Sequence, residues 1–415
     1  MVGRVVSKAD EVLGSITPSR VMRGTATVRS RRFLVFVRSN RGGIAKYATE
    51  QARELARREY EVMVLSTRAL GLKPSPTLRV IPCLFDAPLS IRAKLLRRLL
   101  FVLLILLNQA ILVTIILWHK PDVVLFDAYS EIMAPLWSWP HVVLNRVLGV
   151  QYVVTIHDPE RVRQFGPQWW HDLSVWTSYL PFTVGLVHGL ASLKREWIPR
   201  KLPLTEVPHG VFGVDADALP EQQPSGIRDK LGIPSSAPVA LAFGYVADRK
   251  NLDLTIRALA RCQKLHLIVA GSRASSTDRP IAYYQNLARD LRVSERVHLI
   301  DEYVPDSEIG RFFSAADIVL LTYKSEFVSQ SGVLHVAANW GKPVLASSGP
   351  GPLSETVEKY RLGITVEPDS LDALASGLAR LLAGEGPPFG WERFRRDASW
   401  ATNIDRFLAA LENVR

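Results

Sequence analysis

The chain has 415 residues, 47% of them hydrophobic and 22% charged, with a net charge of +11. Those values exclude a mostly disordered chain, and the length suits two domains of about 150 to 200 residues each. Cys83 and Cys262, the only cysteines, each lie in or beside an apolar run, which excludes a disulfide framework and a zinc spacing.

Much of the positive charge comes early. Residues 1 to 32 carry seven Arg or Lys against two acids, and 1–30 read as a basic, flexible tail or a solvated basic face. No apolar stretch of signal-peptide length occurs there, which predicts no secretion and a reducing cytoplasm.

From residue 33 short β-branched runs alternate with helical patterns, the mark of a doubly wound α/β sheet. Strand 33–39, helix 44–60 and strands 62–67 and 78–83 come first. "SIRAKLLRR" then supplies Arg92, Lys94, Arg97 and Arg98, and residues 99–119, "LLFVLLILLNQAILVTIILWH", are about long enough to cross a bilayer. Strands before and after belong to one parallel sheet, so the segment must return as a crossover helix. Its outer flank then either lies shallowly in an anionic membrane interface or is buried, and Asn108 and Gln109 suit both readings better than a lipid-exposed span. Strands 122–127, 151–158, 184–189 and 204–210 complete a first Rossmann-like domain, 31–212.

Residues 213–237 turn to Pro, Gly and acid and read as the connection between domains. The pattern restarts over 238–385: strand 239–246, helix 252–261, strand 265–272, helix 281–291, strand 296–301, helix 306–315, strand 317–323, a helix beginning near Gly332, strands 343–348 and 363–368, and helix 370–383. Residues 386–415 read as a Trp- and Arg-bearing helical tail.

Four stretches carry chemistry. In "SEFVSQSGVLHV", Ser329 or Ser331 can cap the helix or donate to phosphate, and Gly332 allows close backbone approach at the carboxyl edge of the sheet. A helix starting there directs unpaired N–H groups at an anion; the plainer reading is a cap on a buried helix. In "FGYVADRKNLDL", Gly244 ends a strand, and Arg249 and Lys250 put two cations at the same edge, suited to phosphate or simply solvated. In the first domain Gly42-Gly43 lack the full dinucleotide spacing, and His157 and Asp158 end a strand on the ligand side. Neither the hydrolase elbow, the P-loop nor a metal-ligand spacing occurs.

The stretch "DSEIGRFFSAADIVLLTY…SGVLHVAANWGKPVLASSGPGPLSETV", with "GGIAKYATEQ", "VVTIHDPE", "VPHGV" and "FGYVADRKNLDL", closely resembles the family 4 retaining glycosyltransferases with the GT-B fold, over roughly residues 33 to 412. The resemblance implies two Rossmann-like domains facing a cleft, the first for acceptor and the second for a nucleotide-diphosphate sugar, with a final helix crossing back. It implies that Gly42 and Gly43 lie near the diphosphate and acceptor, that His157 bonds the transferred sugar, and that Lys250 neutralises the leaving diphosphate. Ser331, Gly332 and Val333 match the loop whose amides hold phosphate, and Glu355 matches an acid in the following loop. It implies transfer without a metal or other cofactor. The basic N-terminal surface points to a glycan or lipid-linked acceptor and to a cytoplasmic location, peripheral on an anionic membrane, and no aromatic-basic stripe supports a nucleic-acid partner. Two departures stand out: the family's spaced glutamates fall on Val328 and Val336, with Glu326 nearby as a substitute, and its strand-end arginine falls on Tyr245, with Arg249 as a replacement. These departures keep open a GT-B-like protein that binds nucleotide or polysaccharide without catalysis.

Overall fold

The computed structural model describes residues 30–38, 42–86, 93–157, 166–190, 193, 198–213, 226–386 and 389–414. The basic tail through residue 29, Arg92, Asp158 and residues 214–225 of the expected connection lie outside the described residues.

The first half runs β1 Arg32–Val37, α1 Gly42–Arg57, β2 Glu61–Thr67, β3 Leu78–Leu84, α2 Lys94–His119, β4 Val123–Ala128, α3 Ala134–Leu148, β5 Gln151–Ile156, α4 Gln168–Ser178, β6 Val184–Val187 and β7 Leu204–Glu206. Its sheet has the order β3-β2-β1-β4-β5-β6-β7, and every pairing is parallel. Both faces are covered, so the strands read as nearly unbroken apolar runs. Phe33, Val35 and Val37 pack with α1 on one face, and Leu34 and Phe36 pack with α2 and α3 on the other.

The second half runs α5 Gly226–Lys230, β8 Val239–Phe243, α6 Leu252–Ala260, β9 His266–Ala270, α7 Ile281–Asp290, β10 Val297–Ile300, α8 Asp306–Ala315, β11 Ile318–Thr322, α9 Gly332–Ala337, β12 Val344–Ser347, α10 Pro352–Lys359, β13 Gly363–Thr365, α11 Leu371–Leu382, α12 Trp391–Asp397 and α13 Trp400–Glu412. The parallel sheet order is β10-β9-β8-β11-β12-β13. Inside the expected connection, α5 packs Ile227 into the core of this half, and Arg228 pairs with Asp317 at 2.8 Å.

Four helices were not anticipated: α3, α4, α5 and α10. Pro140 lies inside α3, where it removes the bond to the carbonyl four residues back. That carbonyl belongs to Leu136, on the outer side of the helix. Glu355, expected in a loop, sits in the first turn of α10, where a carboxylate favours the helix dipole.

The long apolar segment is confirmed as a crossover helix. Ile105, Leu112 and Ile116 of α2 enter the core beneath the sheet. Asn108 accepts from Phe85 N at 2.8 Å and donates to Phe85 O at 2.9 Å, and Gln109 Oε1 accepts from His141 Nε2 at 2.9 Å. The polar pair therefore faces inward and pins the helix to its sheet.

The C-terminal crossover is explicit. Trp391 and Phe394 of α12 belong to the second domain's core, whereas Ile404, Phe407 and Leu411 of α13 belong to the first. Asn403 bonds Tyr47 OH, Gln51 and the Pro208 carbonyl, and Trp400 Nε1 donates to Val211 O at 2.8 Å. Phe407→Ala empties a fully buried site and is expected to cost about 3 to 5 kcal/mol. Urea unfolding checks this; a loss under about 1 kcal/mol would show α13 to be loosely seated.

Candidate active site

The site follows from where strands end. In doubly wound sheets a crevice opens at the carboxyl edge where strand order reverses. The reversals lie between β1 and β4 in one sheet and between β8 and β11 in the other. Gly42 and Gly43 follow β1, Gly244, Arg249 and Lys250 follow β8, and Ser331, Gly332 and Val333 follow β11. All of them, with His157 after β5, line one cavity of about 690 Å³, a size ordinary for small-molecule sites.

Gly42 has φ +83°, and a Cβ there would meet the Tyr245 ring at 3.5 Å. The glycine thus makes the turn into α1 and lets the β8 loop of the other domain come close. Gly244 has φ +82°, and a Cβ on it would lie 3.4 Å from Lys250 Nζ and 3.7 Å from Val333 Cγ2. The ammonium and the start of α9 therefore meet over one glycine. Lys46 of α1 pairs with Asp306 of α8 at 3.2 Å, tying the two walls.

Lys250 Nζ donates to Phe243 O at 2.6 Å. Burial, helped by the charge of Arg249, pushes its pKa down to about 7, since a desolvated ammonium is disfavoured. The Arg249 guanidinium lies 5.7 Å from the Phe327 ring centroid.

At α9 the first helical bond runs from Leu334 N to Ser331 O at 3.1 Å, so the Gly332 and Val333 amides lie ahead of it, open to a ligand. Ser331 does not cap the helix with its side chain; its hydroxyl is 2.9 Å from Tyr323 OH. Gln330 does the local work instead: Oε1 accepts from Ser331 N at 2.9 Å, and Nε2 donates to Pro352 O and Thr356 Oγ1. Ser329 is buried outside the cavity wall, and Glu326 is exposed and also outside it. Val336, at one of the two positions where the family carries an acid, lines the cavity.

His157 shows a defined proton arrangement. His188 Nδ1 lies 3.2 Å from the Val207 carbonyl and must donate to it, which leaves His188 Nε2 to accept from His157 Nδ1 at 3.3 Å. His157 Nε2 is then a bare lone pair, and that buried atom has no hydrogen-bond partner among the described residues. Burial, with His188 as second cause, lowers the His157 pKa to about 3, so the ring is neutral near pH 7. The ring lines the cavity, and a neutral acceptor on it is of the kind that suits a sugar hydroxyl.

Sequence reading placed no role on His188, His209 or Asp127. Both histidines stand in His-Gly pairs just beyond strands and line the cavity; that repeated pair at a carboxyl edge was the available signal. Tyr47 packs edge-on against His157, His188 and His209 with centroids 4.8 to 5.2 Å away. His335 of α9 lies against His209 at 4.2 Å between centroids. Asp127, at the end of β4, is buried, and its pKa rises to about 7 through desolvation, partly offset by Thr155. It gave no signal beyond being the last residue of an apolar strand.

Two family profiles match this chain: "Glycosyltransferase Family 4" over residues 41–211 and "Glycosyl transferases group 1" over 237–384. Among curated proteins, the D-inositol 3-phosphate glycosyltransferase of Mycobacteroides abscessus is 29% identical over 202 residues, 48% of this chain and 44% of that one. The enzyme of the same name from Mycolicibacterium gilvum is 28% identical over 199 residues, 47% of this chain and 44% of that one. The matched stretch thus spans less than half the length of these relatives. Among solved structures, a glycosyltransferase from Rickettsia africae superposes with TM-score 0.65 and 16% identity, covering 93% of this chain and 99% of that one. Anabaena HepE in complex with UDP and glucose superposes with TM-score 0.67 and 16% identity, covering 92% and 100%. These superpositions establish the shared fold.

Proposed function

We propose, from the premise that this chain belongs to the family 4 glycosyltransferases with the GT-B fold, that it moves a sugar from a nucleotide-diphosphate sugar to a glycan or lipid-linked acceptor with retention. The observation that carries the proposal is the approach of the Lys250 ammonium and the Val333 side chain, at the start of α9, to Gly244, in the cavity that His157 also lines. HepE, of the same fold, is described with UDP and UDP-glucose, which supports a nucleotide sugar as donor here.

In the proposed transfer the anomeric C–O bond of the donor breaks, and its electron pair passes to the diphosphate oxygen. The acceptor hydroxyl forms the new C–O bond on the same face, and its proton passes to the departing phosphate. Charge grows on the diphosphate as that bond lengthens, so fixed donors at that point lower the barrier. Lys250, Arg249 and the Gly332 and Val333 amides are those donors, with no metal or cofactor called on. His157 Nε2 accepts from a sugar hydroxyl and holds the ring over the phosphate.

The Lys250 pKa gives this proposal a pH signature. The ammonium is the form that binds a diphosphate, and the bound dianion raises the pKa above its free value of about 7. Affinity is therefore full below pH 7 and falls as pH rises through 7 towards the bound-state value. A nucleotide sugar carries no phosphate titrating near neutrality, so calorimetry should show roughly fivefold weaker binding at pH 8 than at pH 7. A flat profile would remove Lys250 from the diphosphate.

Hydrolysis and thermal-shift screening of UDP-, GDP-, dTDP- and ADP-linked sugars tests the function as a whole. One donor that stabilises the protein and is turned over supports it. Val336 in the cavity wall, where the family carries an acid, favours one second reading: a nucleotide- or polysaccharide-binding protein without catalysis. Donor binding with no turnover towards water or any glycan acceptor selects that reading.

A further inference from the structure

The geometry points to a membrane-docking face on the first domain, made by α2, α3 and α4 and fitted to the headgroup boundary of an anionic bilayer. Among the described residues, 15 of the 25 exposed large hydrophobic side chains lie on these three helices. Single exposed apolar residues need no explanation, but a contiguous set this large marks a contact surface.

The outer stripe of α2 runs Leu96, Leu99, Leu103, Leu107, Ala110, Thr114 and Leu117 at three- and four-residue spacing, all exposed. A helix on a sheet ordinarily turns charged and polar residues to that side. The outer stripe of α3 is Leu136, Trp139, Val143 and Val147, and that of α4 is Trp169, Leu173 and Trp176. All three helices pack beneath the same face of the sheet; Trp139 and Trp176 have ring centroids 5.9 Å apart, which joins the stripes of α3 and α4, and α2 packs beside α3.

Three features select a bilayer as the occupant. Trp118 (81% exposed), Trp139, Trp169 and Trp176 put four indoles on this face, the residue type that settles at the headgroup level. Arg97, Arg98 and Arg146 are exposed within it, while neither α2 nor α3 contains an acid and α4 contributes only Asp172. The face is thus basic and apolar, as interfacial helices are. Leu95–His119 is long and apolar enough to cross a membrane, yet β3 before it and β4 after it lie in one sheet, so α2 rests along the surface.

The orientation is useful. α2 runs antiparallel to the strands, and Arg38, just past β1, lies 5.8 Å from the Phe101 ring centroid. The end of α2 with Arg97, Arg98 and Leu99 is therefore at the carboxyl edge, where the cavity opens. Docking would set the cleft mouth beside the headgroups.

Flotation of the full chain with phosphatidylcholine vesicles, with and without phosphatidylglycerol, tests the face. The protein is expected to float with the anionic vesicles and to show a blue-shifted tryptophan emission. Leu99→Glu with Leu103→Glu should lower partitioning more than about tenfold. Arg97→Glu with Arg98→Glu should lower it about tenfold on anionic vesicles only. Both pairs are exposed, so circular dichroism and vesicle-free donor hydrolysis should match the parent, which separates this test from that of the transfer chemistry. A parent chain that stays unbound to both vesicle types overturns the inference, as does a stable dimer that the Leu99→Glu, Leu103→Glu variant dissociates.

Discussion

Lys250→Ala is expected to lower sugar transfer at least about 100-fold, the usual loss when one preorganised donor to a developing charge is removed, while circular dichroism stays unchanged. The ammonium is already desolvated and anchored on the Phe243 carbonyl beside Gly244, so it is held where the diphosphate charge grows. Its loss should appear mainly in kcat, because the charge is greatest in the transition state. Lys250→Arg should restore only part of the rate, since a planar guanidinium cannot take the place of a compact ammonium over that glycine. Unimpaired kcat in Lys250→Ala would place the diphosphate elsewhere.

His157→Ala is the second large effect, about 100-fold in kcat/KM. The ring is neutral, so its contribution is an oriented lone pair rather than a charge, and the rate should show no titration attributable to it above pH 5. His188→Phe tests the orientation. It keeps an aromatic ring against Tyr47 but removes the nitrogen that accepts the His157 Nδ1 proton, freeing the ring to change tautomer. A loss of about tenfold is expected. A histidine that merely packs would tolerate His188→Phe.

The α/β alternation was legible because parallel strands covered on both faces are short apolar runs that stand out between amphipathic helices, as β1 and α1 do. The site loops were legible for a related reason: Gly244 and Lys250 after β8, and Ser331 and Gly332 after β11, follow neighbouring strands at a reversal of sheet order. What stayed hidden depends on distant partners. α3 carries Pro140 and an apolar outer side, so neither propensity nor periodicity marks it; its contacts with α2 and the sheet decide it. The His157 tautomer rests on His188 and the Val207 carbonyl, brought together only by β5, β6 and β7. Gln330 takes its partners, Pro352 and Thr356, from α10, which its own stretch of sequence does not show. Glu326 stood closest in sequence to the missing acid, but the loop turns it to solvent.

The central claim is that Lys250 and the Gly332 and Val333 amides close on one diphosphate in front of His157. A crystal structure with the nucleoside diphosphate of whichever donor the screen selects tests it directly. The account predicts the distal phosphate within hydrogen-bonding distance of Lys250 Nζ and of at least one of those two amides, with His157 Nε2 facing the space beyond it. A nucleotide bound with its phosphates away from Lys250, or lodged outside this cavity, would contradict it.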